Sequence, residues 1–585
     1  MRSLFGHLHA PSGFSLLSGQ GLGARAAGRG GGWGWLCLCL LAGWLQAASL
    51  AWPLKAWAPP GLAPGEPSGL LQIASLAVLA LSLRHARHAR QGAWRAWTFA
   101  LAWLAGSFWW LFVSMHVYGG LAAPLAVLAV LALAAFLALY YALAAWLVCS
   151  LAPRSPLGQM IVFAAAWTLA ELMRGRWLTG FPWGAGGYAQ VDLMASLAPW
   201  LGVYGMGAVA AFVACGLAVL PALPGNRRLH RRVPAGPKAF ATARAWRQPV
   251  LWLLLMGGVL LAIRAPSVAA LHTRPAGALS VWLLQGNVPQ DEKFVPGKGV
   301  ALALDWYPAQ FAQAVGAQAR APDLVVAPET ALPLLPEQLG PDFWEPLLDA
   351  IDGQGQGRTA VLLGVPLGSY EAGYTNSAWG IRPADVRGRD GLFPAARFYR
   401  YDKHHLVPFG EFIPPFLRWF TDLMHIPLGD FGRGALVQRP WSLMGQRVAA
   451  NICYEDLFGE ELAAAFADAG QAPTVLVNLS NIGWFGDTVA IDQHLHISRL
   501  RAMELGRPML RATNTGATAV IDHRGQVVAA LPRLTRGHLV AEAEGREGLT
   551  PYARWASRAG LWPVWGVCLA VLLIAWAVRR GRARP

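Results

Sequence analysis

A series of apolar stretches, each close to the length that crosses a lipid bilayer, constrains this chain more than any other feature. A spanning helix needs about 20 mostly apolar residues. Eight stretches meet or approach that length, at roughly 33–53, 68–84, 96–118, 121–150, 157–174, 194–223, 249–270 and 560–578. The fourth has room to tilt or to kink near Pro124. From about 271 to 557 nothing is long and apolar enough to span, and that length suffices for one sizeable folded domain. The expected fold class is a polytopic α-helical membrane domain of about eight spans, with a large water-soluble domain inserted before the last. The expected divisions are a flexible tail at 1–32, a membrane region at 33–270, an outer domain at 271–557, and a closing span with a basic tail at 558–585.

The formal net charge is +16, which in isolation fits a nucleic-acid binder. Its placement fits a membrane topology instead. Loop 84–95 carries Arg84, Arg87, Arg90 and Arg95, loop 224–248 is equally basic, and the tail carries Arg579, Arg580, Arg582 and Arg584. None of these segments contains Asp or Glu. Positive loops stay in the cytoplasm. With eight spans they share one side with the N-terminus, and the large domain faces the other. A signal-peptide reading of "LQAASLA" would break that parity. Nucleic acid is therefore not an expected partner.

Cys37, Cys39, Cys149, Cys215 and Cys568 fall in or at the ends of apolar stretches, where they act as small apolar residues. The outer domain keeps one cysteine, Cys453, and so has no internal disulfide to form. An unpaired thiol on the oxidising side of a membrane asks for an explanation. No Cys/His spacing fits zinc, and His404 and His405 are adjacent, so neither a metal nor a cofactor is expected.

Within the outer domain short apolar runs alternate with helical stretches. Strands are expected at 279–287, 323–329, 359–366, 376–381, 447–455, 474–480, 508–514 and 518–523. Helices are expected at 303–318, 337–352, 459–470 and 490–507, which together argue for an α/β domain. Three strand ends carry reactive groups. "APET" places Glu329 after one apolar run, "YRYDKHHLVPFGEF" places Lys403 past another with Glu411 eight residues on, and "NICYED" places Cys453 at a third. Catalytic groups gather at strand ends in α/β proteins. There a carboxylate can accept a thiol proton, and an ammonium can favour the thiolate and hold an oxyanion. Taken singly, Glu329 also reads as a turn cap, Lys403 as a solvated charge and Cys453 as a buried spacer.

Together these residues resemble the Glu-Lys-Cys triad of the nitrilase superfamily. More narrowly, the chain resembles the membrane-bound apolipoprotein N-acyltransferase family over nearly its whole length. The segments that carry this are "QGNVPQ" (285–290), "APET" (327–330), "HLVPFGEF" (405–412), "NICYED" (451–456), "NIGWFGD" (481–487), "LRAMELGRPMLRATNTG" (500–516) and "LTPYAR" (549–554). The resemblance implies an extracytoplasmic αββα sandwich with Glu329 as general base, Lys403 as oxyanion stabiliser and Cys453 as nucleophile. It implies that Glu411, Tyr454 and Glu455 support the site, and that Phe294 and Trp484 lie near lipid. Phe294 stands where many members have Trp, and Ile482 where many have Asp.

The activity so implied is a ping-pong acyl transfer without a cofactor. A phospholipid, usually phosphatidylethanolamine, gives its sn-1 acyl chain to Cys453. The α-amine of an S-diacylglyceryl cysteine at the start of an apolipoprotein then takes it. The implied location is the bacterial inner membrane, with a monomer presenting its catalytic domain to the periplasm. Two rivals use the same chain differently: a membrane-anchored amidase or nitrilase acting on a small amide, and a transporter with a binding domain. The second would need charged or broken helices at mid-membrane, and Glu171 is the main intramembrane charge. The aromatic loop at 175–188 reads either as part of a lipid entrance or as an interfacial belt. The apolar segment around 410–435 reads as a lid.

Overall fold

The computed structural model describes residues 23–57, 59–219, 257–258, 272–317, 321–353, 357–369, 371, 373–387, 394–413 and 431–583. The expected span at 249–270 apart from 257–258, the basic loop at 224–248 and most of the apolar segment read as a lid lie outside the described residues.

The helical part comprises α1 (Gly23–Ala48), α2 (Gly69–Arg84), α3 (Ala89–Ser107), α4 (Ala123–Leu151), α5 (Pro156–Arg176) and α6 (Ala198–Val219). Among the described residues four helices are long and apolar enough to cross a membrane: Ala123–Leu151, Pro156–Arg176, Ala195–Val219 and Trp562–Gly581. Trp33–Ala48 and Gly69–Arg84 are shorter apolar helices. The stretch 96–118 differs from its expectation. α3 begins at Ala89, stops at Ser107, and is followed by turns and a π-helical segment, Val113–Tyr118. Arg95 therefore sits inside a helix and is buried, donating to the main-chain oxygen of Ser82, so it is not part of a solvated basic loop. Pro124 occupies the first turn of α4, where a missing N–H costs nothing, and starts that helix without kinking it.

α6 is bent at Gly202, whose φ of 64° favours glycine. A Cβ there would lie 2.3 Å from the Tyr552 ring. The main-chain N–H of Val203, beside the bend, donates instead to Glu504 Oε1 at 2.7 Å. The bend is thus one place where the outer domain docks on the helices.

The outer domain contributes β1 (Thr273–Gln285), α7 (Gly299–Val315), β2 (Leu324–Val326), α8 (Pro341–Asp352), β3 (Ala360–Ser369), β4 (Gly373–Ile381), β5 (Tyr399–Asp402), β6 (Trp441–Leu443), β7 (Gln446–Ile452), α9 (Gly459–Ala464), β8 (Val475–Ser480), α10 (Ala490–Leu505), β9 (Met509–Thr513), β10 (Ala519–Ile521), β11 (Val527–Ala530), β12 (Gly537–Gly548) and α11 (Pro551–Ala559). The final helix is α12 (Trp562–Ala583). Among the described residues the strands form two six-stranded sheets, ordered β12-β1-β2-β3-β4-β5 and β11-β10-β9-β8-β7-β6. Each sheet has three parallel strands at its centre, β1-β2-β3 and β7-β8-β9, with antiparallel neighbours. The inner faces share one apolar core in which Val281, Leu324 and Leu362 meet Val448, Val477 and Leu510. α7 and α8 cover the first sheet, while α10 and α11 cover the second. This is the expected αββα sandwich, with the parallel strands buried on both faces.

A further apolar cluster runs from the helices into the underside of the outer domain, joining Trp103, Trp167 and Trp183 to Tyr454, Phe458 and Ile482. Ile482 is thus a packing residue at the junction. The expected strand at 447–455 ends three residues early, because Cys453 opens a 3-10 turn, Cys453–Leu457.

Candidate active site

The site forms where β2, β5, β7 and β8 end. β2 stops at Val326 and the chain turns at Glu329. β3 passes under that turn at Gly364, where a Cβ would lie 2.4 Å from the Pro328 oxygen and 2.7 Å from Glu329 Cα. Lys403 follows directly on β5, and its N–H donates to the Asn376 oxygen of β4 at 2.8 Å. Cys453 follows directly on β7 with φ 53°, a left-handed conformation that costs a non-glycine residue about 1–3 kcal/mol. Strain of that kind gathers at functional positions.

Lys403 Nζ donates to Glu329 Oε1 at 3.3 Å and to Glu411 Oε1 at 2.9 Å. Asn376 Nδ2 bridges the same two carboxylates, 2.7 Å from each. The main-chain N–H of Asn481 donates to Glu329 Oε2 at 2.9 Å, and that of Val407 to Glu411 Oε2 at 2.8 Å. A second buried lysine, Lys293, donates to the Glu329 main-chain oxygen at 3.1 Å.

These contacts set the protonation states. Burial disfavours the Glu329 carboxylate, but Lys403, Asn376 and Lys293 outweigh it and hold its pKa below the ordinary value. Burial likewise disfavours the Lys403 ammonium, but Glu329 and Glu411 outweigh it and hold its pKa above the ordinary value. Lys293 has no comparable compensation, and burial brings it down to about 8. Part of the Cys453 surface is open, yet protein surrounds the thiol at longer range. That burial, with Glu329 beside it, pushes the thiol up to about 12 against the pull of Lys403. The resting site is a thiol, a carboxylate and an ammonium.

Glu455 braces the arrangement from beneath. Its Oε1 accepts the N–H groups of His404 at 2.7 Å and His405 at 3.1 Å, and its Oε2 accepts Ile452 N–H at 2.6 Å and Tyr401 Oη–H at 2.8 Å. It therefore ties the strand end that carries Lys403 to the one that carries Cys453. Burial pushes its pKa up to about 7 even though those donors oppose it. Tyr454 Oη donates to the Gly180 oxygen at 3.2 Å, and its ring stacks on Phe181 at 6.4 Å. The aromatic loop at 175–188 is thus more than a lipid-facing belt: Trp183 is buried against the outer domain, while Trp177 and Leu178 are exposed.

Glu329, Lys403, Glu411 and Cys453 come together, with Tyr454 and Glu455 adjoining. The other two expected positions stand apart from this ionic centre. Phe294 is half-exposed, and Trp484 meets Tyr118 of the π-helical segment edge-on at 6.0 Å. Sequence reasoning missed Asn376 and Lys293. Asn376 opens the expected strand at 376–381, whereas the observed β4 begins at Gly373 and places this amide within it. Gln290, Asn481 and Asn514 knit the "QGN", "NIG" and "NTG" segments together, with Asn481 Nδ2 2.8 Å from Gln290 Oε1 and Asn514 Nδ2 3.2 Å from Asn481 Oδ1.

A carboxylate, an ammonium and a thiol at the strand ends of an αββα sandwich define a carbon-nitrogen hydrolase type of domain, here joined to apolar helices. The sequence profile described as "Carbon-nitrogen hydrolase" matches residues 388–551, and that described as "Apolipoprotein N-acyltransferase N-terminal domain" matches residues 56–216. A protein of Verminephrobacter eiseniae called apolipoprotein N-acyltransferase is 53% identical over 565 residues, spanning 93% of this chain and 96% of its own length. One from Ralstonia nicotianae bearing the same name is 46% identical, spanning 87% of this chain and 89% of its own. The chain belongs to the apolipoprotein N-acyltransferase family.

Proposed function

We propose that the chain transfers a fatty acyl group from a membrane phospholipid, at the sn-1 ester and with phosphatidylethanolamine as the usual donor, to the α-amine of an S-diacylglyceryl cysteine that begins an apolipoprotein. The observation that carries this is the meeting of Glu329, Lys403 and Cys453 beside apolar helices. In the first half-reaction Cys453 Sγ attacks the ester carbonyl as Glu329 takes the thiol proton. Two of the three Lys403 N–H groups go to carboxylates, and the third is left for the oxyanion. Collapse expels the lysophospholipid alkoxide, which takes the proton from Glu329, and leaves a thioester on Cys453. In the second, the neutral amine attacks the thioester and yields a proton to Glu329. The thiolate departs, recovers that proton, and an amide remains.

Residues 271–557 act as the catalytic domain and 33–270 with 558–585 as its membrane anchor. Both substrates keep acyl chains in the bilayer, where each buried CH₂ is worth about 0.8 kcal/mol, so the chemistry belongs at the membrane surface. The basic segments support an inner-membrane location with the catalytic domain in the periplasm, and a full triad in one chain supports action as a monomer. The test supplies phosphatidylethanolamine labelled in its sn-1 chain together with a diacylated lipopeptide. Label appearing as an amide on the lipopeptide supports the proposal. Label released only as free fatty acid, or turnover of a small amide in its place, contradicts it.

A further inference from the structure

The carbonyl of Cys453 is held from below. It accepts Asn478 Nδ2 at 3.1 Å and lies 3.3 Å from His494 Nε2. The same Nε2 is 2.9 Å from Asp456 Oδ1. Arg511 Nη2 lies 3.3 Å from His494 Nδ1. A guanidinium only donates, so Nδ1 accepts and the ring proton sits on Nε2. That proton is shared between Asp456 and the Cys453 carbonyl. Asp456 Oδ2 in turn accepts from Ser498 and from Arg511, the latter at 3.2 Å. His494, Asp456, Ser498 and Arg511 are all buried.

The outer face of the same ring meets the aromatic loop. Trp183 packs on His494 at 5.5 Å between centroids. Gln493 Oε1 accepts from Trp183 Nε1 at 2.8 Å and from Trp110 Nε1 at 3.1 Å. One imidazole therefore touches both the left-handed backbone at Cys453 and a loop anchored in the helices.

We propose that His494 is a positioning residue for acyl transfer: it holds the Cys453 carbonyl in the conformation that turns the thiol toward Glu329 and Lys403, and through Trp183 it couples that conformation to the membrane-side loop. This rests on Cys453 being the nucleophile. No proton of the reaction passes through His494. Its contribution is geometric, and a displacement of about 1 Å at a reacting group costs about 100-fold.

The test uses the full-length protein in detergent micelles with phosphatidylethanolamine, and compares the parent with His494→Asn, His494→Gln and Trp183→Leu. Acyl-enzyme formation is followed by intact mass in a single turnover over a range of donor concentrations, and Cys453 alkylation by iodoacetamide is followed without lipid. His494→Asn is expected to slow acylation about 10- to 100-fold, with the half-saturating donor concentration unchanged. His494→Gln, whose amide nitrogen can stand where Nε2 stood, is expected to recover most of the rate. Equal loss in both variants, or loss in neither, overturns the proposal. Should His494→Asn not fold, Trp183→Leu decides: slower alkylation supports the coupling and an unchanged rate overturns it. A parent that binds lipid yet is never acylated would instead overturn the nucleophile assignment, a result distinct from any variant effect.

Discussion

Two buried ionic clusters flank Cys453, built from similar residues to different ends. On one side Lys403 sits between Glu329 and Glu411. On the other Asp456 sits between His494 and Arg511. The Asp456 cluster closes on itself, since both carboxylate oxygens have donors and the imidazole's second nitrogen faces a guanidinium. The Lys403 cluster does not close. It keeps an ammonium N–H in reserve, and its neighbour is Cys453, a residue left partly exposed. A closed buried array fixes a conformation, and an array with surplus capacity can respond when charge develops nearby. The prediction is that damage to the open cluster appears in chemistry with the fold intact, whereas removing a charge from the closed cluster costs stability and reaches the chemistry only through His494 on the Cys453 carbonyl.

The largest effect is expected at the thiol. Cys453→Ala should cut acyl transfer by about 10⁵-fold or more, with the melting temperature held, as measured by lipopeptide turnover and thermal unfolding. Glu329→Gln should follow with a loss of about 10²- to 10⁴-fold in kcat, again without loss of fold. A comparable drop in melting temperature in both would erase the contrast between the clusters. Arg511→Met in the closed cluster should cost stability, roughly 3–5 kcal/mol, because it strands a buried carboxylate. A denaturant titration would show it.

Glu455 gives a finer test. Its carboxyl is held up at about 7 in the fold against an ordinary value of 4.5. The folded chain thus binds that proton more tightly than the unfolded chain between those values. Its contribution to stability is full below pH 4.5 and is lost as pH rises through about 7. Glu455→Gln should flatten the melting profile over that window. The smallest effect is expected at Phe294, which is half-exposed. Phe294→Trp should leave kcat unchanged and shift the donor KM by about twofold, the scale of a surface substitution, in assays comparing headgroups.

The open cluster was legible in the sequence and the closed one was not. Glu329 and Cys453 each end an apolar run and Lys403 follows "YRYD", but it is the resemblance of the segments around them to a known family that brings the three together. α10 reads "AIDQHLHISRLRAMEL", polar enough for a solvated face. All of it but Leu495 is instead buried, with His494 on Asp456, Arg499 on Asp192, Asp492 on Arg533 and Arg501 on Glu504. Composition alone carries no sign of partners supplied by distant segments. The break of the 96–118 stretch into a helix and a π-helical segment was hidden for a related reason. Its apolar residues serve packing against Phe485 of the outer domain, with Trp110 4.2 Å from that ring.

The most direct test of the central claim is intact mass spectrometry of the purified protein after incubation with phosphatidylethanolamine, beside Cys453→Ala. The expected result is a fatty-acyl mass on the parent that is absent from the variant and discharged by a diacylated lipopeptide. A parent that binds lipid and stays unacylated, or a variant that acquires the same mass, would contradict it.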